Sequence, residues 1–118
     1  MKYSIEKQPI DKLAVVKVEG RLDANSADIL KAALKQAAAE GLSNLVIDMQ
    51  AISYIDSSGL SALVSGFKAA REHNGLLALA YVGPQVKMAL ELTHLNRIFP
   101  IYENTETALD ALAELGKG

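Results

Sequence analysis

Two hydrophobic rhythms alternate along this chain, and that alternation most constrains its fold. Short runs rich in Val, Ile and Leu, such as Leu13–Glu19 (LAVVKVE) and Leu45-Val46-Ile47, are separated by longer stretches whose apolar residues recur every three or four positions. The first rhythm suits a pleated strand and the second a helix with one buried face. A chain that alternates them is driven towards parallel strands, because a helical crossover returns the chain to the side where the next strand begins.

Tyr3–Gln8 is predicted as a weak strand, joined by a turn at Pro9-Ile10-Asp11-Lys12 to the strand Leu13–Glu19, the two forming an antiparallel hairpin. Ala27, Leu30, Leu34, Ala37 and Ala38 mark a first helix, capped by Asn25 or Ser26 and stopped at Gly41. Leu45–Ile47 is expected to be a strand covered on both faces, followed by a loop over 50–55. Leu60, Leu63, Val64 and Phe67 mark a second helix that ends at Asn74-Gly75. Leu76–Val82 is a further covered strand, and Pro84 suits the first turn of a third helix with Val86, Ala89, Leu90 and Leu92 inward. Ile98–Tyr102 is expected as a last strand at the sheet edge, since Pro100 cannot donate to a ladder. Thr105 opens a fourth helix with Ala108, Leu109, Leu112 and Leu115 inward. The expected fold is α/β, a mixed, mostly parallel sheet of about five strands with an antiparallel edge strand and about four helices, in a single domain over residues 1–118.

Composition narrows the function. Of 118 residues, half are apolar and 22% charged, enough for a core without a metal or disulfide staple. There is no Cys, which removes disulfides, thiol nucleophiles and Cys-ligated zinc. The two His, His73 and His94, stand far apart, so neither a metal nor a cofactor is expected. The net charge of -2 offers no basic face for direct nucleic-acid binding. The longest apolar run, Leu76–Val82, is far short of the ~20 residues that span a bilayer, and Met1–Gln8 lacks a signal-peptide core, so no membrane insertion and a cytoplasmic location are expected. No Gly-x-x-x-x-Gly-Lys-Ser/Thr loop is present.

In parallel sheets the working surface lies at the carboxyl ends of the strands, which here places Gly20–Asp23 and residues 50–59 together. Asp56 is placed to cap the second helix, with Ser57, Ser58 and Gly59 in its first turn. Backbone N–H groups there lack intrahelical partners and the helix dipole is positive, so a phosphate on a first-turn hydroxyl would not melt the helix. It would, however, add about -1.5 to -2 charge beside Asp56 and near Asp23. A partner fitted to a neutral hydroxyl would then have to bury an unpaired dianion, at a cost of several kcal/mol. The plainer alternative is an ordinary capped helix start. Gly59 sacrifices up to ~1 kcal/mol of helix propensity relative to Ala, which close backbone approach by a partner would explain. The segment 51–55, with Tyr54, is more apolar than a connection requires and suits either a lid on the sheet edge or a binding surface.

Several segments in order carry a resemblance: Gly20-Arg21-Leu22-Asp23, Leu45-Val46-Ile47-Asp48-Met49, Tyr54-Ile55-Asp56-Ser57-Ser58-Gly59-Leu60, and Leu92–Phe99, with Ala108-Leu109 in the last helix. Over nearly its whole length the chain resembles a STAS domain of the anti-sigma factor antagonist type. The resemblance implies a phosphorylation switch on Ser57, with Ser58 as second acceptor, in a partner-binding surface of Asp23, Tyr54, Asp56, Ser57, Ser58 and Gly59. The implied partner is both anti-sigma factor and serine kinase. The unmodified chain would bind it and free the sigma factor, so regulating transcription, and a PP2C-type phosphatase would reset the modified form. No catalytic residue of the chain's own is implied. Another STAS role, as regulatory subunit of a stress-signalling complex, a secretion regulator or a lipid-transport ATPase, shares the same fold.

Two further readings start from single residues. Asp48 could serve as the phosphoacceptor of a receiver domain, but Glu19-Gly20-Arg21-Leu22-Asp23 supplies no acidic pair after the first parallel strand, and Asp48 reads better as a loop-capping carboxylate. Ser57 or Ser58 could be a hydrolase nucleophile, but neither sits in a Gly-x-Ser-x-Gly elbow, and no motif places His73 or His94 as a base.

Overall fold

The computed structural model describes residues 1–116. Among them, five strands form one sheet in the order β1-β2-β3-β4-β5: β1 (Lys2–Lys7), β2 (Leu13–Leu22), β3 (Asn44–Ile55), β4 (Leu77–Ala80) and β5 (Ile101–Tyr102). β1 runs antiparallel to β2, and the remaining pairs are parallel. The helices are α1 (Ala27–Ala39), α2 (Ser57–Glu72), α3 (Pro84–Leu92) and α4 (Thr105–Gly116), with a 3-10 turn at Leu95–Arg97. This is the mixed α/β architecture expected from the alternation.

The sheet separates two cores. Ala14, Val16, Val18, Leu45, Ile47, Leu77 and Leu79 point to the side of α1, α2 and α3. Leu13, Val15, Val46, Ala78 and Ala80 point to the other side, where Ala108 and Leu112 of α4 cover them. Burial on both faces explains why the central strands read as continuous apolar runs. Phe67 of α2 and Phe99 close the first core edge-to-face, with ring centroids 5.5 Å apart.

Helix ends follow local chemistry. Gly41 takes a φ of +99° after α1, and Asn74 a φ of 63° after α2, both in the left-handed region where helices commonly stop. Pro84 opens α3. Asn104 caps α4, its side-chain oxygen accepting from the Thr107 N–H at 2.7 Å.

Several expectations are corrected. Residues 50–55 are not a loop: β3 continues to Ile55 because β2 also continues, to Leu22, and the two satisfy each other's backbone. Asp48 is therefore within a strand, not at its end. β4 is shorter than Leu76–Val82, and β5 is only Ile101–Tyr102, since the 3-10 turn uses the residues before it. β5 is an edge strand as expected, and Pro100 contributes its carbonyl to the Leu79 N–H at 2.9 Å. Leu92 is 76% exposed rather than inward, because it lies at the end of α3 beyond the face that buries Val86 and Leu90. The side chain of Leu115 lies outside the described residues.

Candidate functional site at the start of the second helix

β2 and β3 outrun the rest of the sheet. β4 stays with β3 only to the pair Asp48–Ala80, whereas β2 remains paired with β3 as far as Leu22–Ile55. The two strands therefore project as a ribbon, with register shifts between Lys17 and Glu19 and between Gly20 and Arg21. Gly20 absorbs the irregularity at a φ of +100°, a conformation that a side chain would strain. Arg21 and Tyr54 are neighbours across the ribbon, and the guanidinium lies over the ring at 4.3 Å from its centroid.

The ribbon delivers its two chain ends side by side. After Leu22 the chain turns at Asp23, whose Oδ1 accepts from the Asn25 N–H at 3.0 Å and whose Oδ2 accepts from Arg21 Nε at 3.4 Å. Ser26 occupies the N-cap position of α1 without making the expected cap bond. Its hydroxyl instead donates to the Arg21 carbonyl at 2.8 Å and accepts from the Asp23 N–H at 3.0 Å. Buried Ser26 thus closes the loop that holds Asp23, rather than the helix that follows it. Asn25 is no cap donor-acceptor either; its N–H is what the Asp23 carboxylate holds.

After Ile55 the second chain end is fixed from both sides. The Asp56 N–H donates to the Leu22 carbonyl at 3.3 Å. On the opposite edge, where β4 has already ended, the amide of Gln85 stands in for a strand. The Ile55 N–H donates to Gln85 Oε1, and Gln85 Nε2 donates to the Ile55 carbonyl, both at 2.9 Å. Sequence reasoning missed Gln85. Its signal is an amide just after Gly83-Pro84, at a helix start beside a strand end whose ladder needs a partner.

Asp56 then caps α2, with extended backbone and Oδ1 accepting from the Gly59 N–H at 3.1 Å. Ser57 is the first helical residue and is exposed; Ser58 is half-buried and Gly59 buried. A Cβ on Gly59 would fall 2.3 Å from the Leu22 carbonyl oxygen and 2.7 Å from Ile55 Cγ1. The close approach that demands glycine here is made by the chain itself, which corrects the expectation that a partner makes it. Ser57 and Ser58 open on a groove of about 410 Å³ between the beginnings of α1 and α2, shared with Ser61 on α2 and with Ala24, Asp28 and Lys31 on the α1 side.

The structure therefore gathers Asp56, Ser57, Ser58 and Gly59 into one turn and brings the Asp23 loop against it through the Leu22–Asp56 bond. Tyr54 stands one step back on the ribbon, under Arg21. The other candidates are elsewhere. Asp48 is half-buried within β3, its Oδ1 accepting from the Gln50 N–H at 3.0 Å. His73 closes the far end of α2, with Nδ1 2.9 Å from the Ala69 carbonyl, and His94 follows α3; both are exposed. Neither histidine therefore stands beside Ser57. Among the described residues, no group of three His, Asp or Glu side chains is placed to hold a metal ion, and no helix is long and apolar enough to cross a membrane.

Comparison with known proteins adds the decisive observation: residues 4–108 match the family described as STAS domain. The chain belongs to the STAS domain family. Among proteins similar to this STAS domain are the anti-sigma F factor antagonist of Paenibacillus polymyxa, 27% identical over 95% of this chain and 97% of the relative, and the anti-sigma-B factor antagonist of Staphylococcus aureus, 29% identical over 90% and 98%. A crystal structure of an anti-sigma factor antagonist from Mycobacterium paratuberculosis superposes with a TM-score of 0.83, at 28% identity over 94% of this STAS domain and 92% of that chain.

Proposed function

We propose that this STAS domain, as a single unit over residues 1–118, is an anti-sigma factor antagonist switched by phosphorylation of Ser57. The observation that carries the reading is the exposed position of Ser57 on a turn held from three sides: Asp56 caps it, Gly59 packs it against Leu22, and Gln85 holds the strand leading into it. A braced scaffold with an exposed hydroxyl at its surface suits covalent modification without refolding. The names of relatives that align over nearly the whole chain support the same reading. The domain acts by binding rather than catalysis, in the cytoplasm, on an anti-sigma factor that is also a serine kinase. Ser57, Ser58, Asp56, Asp23 and Tyr54 form the contact surface, with Gly59 as its structural floor. A phosphoryl group on Ser57 introduces a hydrated dianion beside Asp56, so the partner is released, and a PP2C-type phosphatase restores binding. Ser58, half-buried, is the second acceptor.

The test uses the kinase recovered with the unmodified chain. With ATP, mass spectrometry is expected to find phosphate on Ser57. Ser57→Ala should keep the partner bound through a round of ATP turnover, and Ser57→Asp should weaken binding at least tenfold, about 1.4 kcal/mol. Equal affinity for the wild type, Ser57→Ala and Ser57→Asp would remove the switch. Recovery of transport-complex subunits and no kinase would assign the domain to another STAS assembly.

A further inference from the structure

The groove beside Ser57 is lined by one cation. Lys31 lies on α1, one turn beyond Asp28, and lines the same groove as Ser57, Ser58 and Ser61. It is half-buried, yet among the described residues the ion pairs are Lys17–Glu6 and Arg21–Asp23, so Lys31 has no carboxylate within 4 Å, not even Asp28 at helical spacing. The Ser57 side of the groove is the complementary case. Around that hydroxyl the charged groups from the packed elements are Asp56 at the start of α2, Asp23 with Arg21 at the end of β2, and Asp28 with Lys31 on α1. Arg21 is already engaged by Asp23 and Tyr54. Lys31 is thus the remaining cation available to a new anion at this site.

We propose that Lys31 is the in-chain counter-charge for a phosphoryl group on Ser57, and that the groove between α1 and α2 receives that group in the modified state. The inference rests on Ser57 being the acceptor, and it adds how the modified form is stabilised. The neighbouring Asp56 carboxylate and that of Asp28 in the groove oppose a second negative charge on the phosphate, and the Lys31 ammonium favours it. Drawing the dianion into the groove also takes Lys31 out of reach of a partner, so one modification changes the surface by a gained negative charge and a sequestered positive one.

The test needs no kinase. Phosphoserine is installed at position 57 during synthesis of the full chain, and the phosphate is titrated by phosphorus NMR. Removing a nearby cation disfavours the dianion, so Lys31→Met, which keeps the aliphatic stem, is expected to raise the second pKa of the phosphate by about half a unit or more. Lys31→Arg should leave it within about 0.2 unit of the unsubstituted chain, and Lys35→Met, one turn further along α1 beside the lower part of the helix pair, should also leave it nearly unchanged. Equal titration curves for the unsubstituted, Lys31→Met and Lys35→Met chains would overturn the assignment, as would a Lys35→Met shift as large as that of Lys31→Met. If Lys31→Met lowers the melting temperature, the same comparison is read from Lys31→Gln. A failure of the Ser57 switch itself shows separately, as kinase-borne phosphate on another residue, while the titration reports only on what surrounds position 57.

Discussion

The lower half of the sheet and the ribbon that rises from it are built from the same two strands by opposite rules. From Leu13 to Lys17, β2 keeps strict register with β3, and its side chains are shared between two closed cores. Above Lys17 the register shifts twice, a glycine takes a positive φ, and side chains such as Arg21 and Tyr54 lie partly in solvent. Below, stability comes from apolar area, which is non-directional and tolerant of detail. Above, where Leu22 and Ile55 still bury into the first core, individual hydrogen bonds add to it: the Asp56 cap, the Ser26 brace and the Gln85 amide. The contrast separates the part of the molecule that makes it fold from the part that holds one hydroxyl at a fixed place.

The contrast is broken most directly by emptying the core. Leu79 of β4 is fully buried in the first core. Leu79→Ala is expected to cost about 2–5 kcal/mol in chemical denaturation, while the folded fraction retains its affinity for the anti-sigma partner. A loss of affinity matching the loss of stability would mean that the two halves are not separable.

Gly59→Ala attacks the seam between them. The added methyl meets the Leu22 carbonyl at 2.3 Å, and backbone cannot rotate away as a flexible side chain would. The start of α2 must shift, with an expected loss of about 1–3 kcal/mol. Unlike Leu79→Ala, this variant should also lower the rate of Ser57 phosphorylation, measured by mass spectrometry under conditions where the chain is fully folded. An unchanged rate would show that the turn is not held by this contact.

The same division explains what was legible in the sequence. Periodicity depends on burial, so the lower sheet was readable: Leu45-Val46-Ile47 alternates between two cores, and the inward residues of α1 sit where their spacing puts them. The Asp56 cap was readable because a cap is a short-range rule about neighbours. The ribbon was not. Ala51–Ile55 is a strand only because Glu19–Leu22 lies alongside, and no local rule reports a partner thirty residues away. Ser26 was misread for a related reason: its hydroxyl serves the preceding carbonyl of Arg21, and the residue type alone does not say which way it faces. Gln85 was invisible because its role is defined by where β4 stops, which is a property of the sheet and not of the residues around Gln85.

Gln85 also supplies the mildest and most local perturbation of the comparison. Its side chain makes two hydrogen bonds to Ile55, the last residue of β3, and Gln85 itself is exposed. Truncation to Ala lets water replace much of what is lost, so global stability should fall by only about 1 kcal/mol. The local effect should be larger than the global one. With the amide gone, the Ile55 N–H is held by no protein acceptor on that edge, and its hydrogen exchange should accelerate at least tenfold while amides of the lower sheet, such as Ile47, slow or speed only with global stability. Gln85→Glu separates geometry from charge: it keeps the acceptor for the Ile55 N–H but loses the donor to the Ile55 carbonyl, so exchange at Ile55 should stay closer to the wild type than in Gln85→Ala. If Gln85→Ala changes Ile55 and Ile47 by the same factor, the ribbon and the core open as one unit, and the hydroxyl of Ser57 owes its fixed position to the whole sheet rather than to the bonds that surround it.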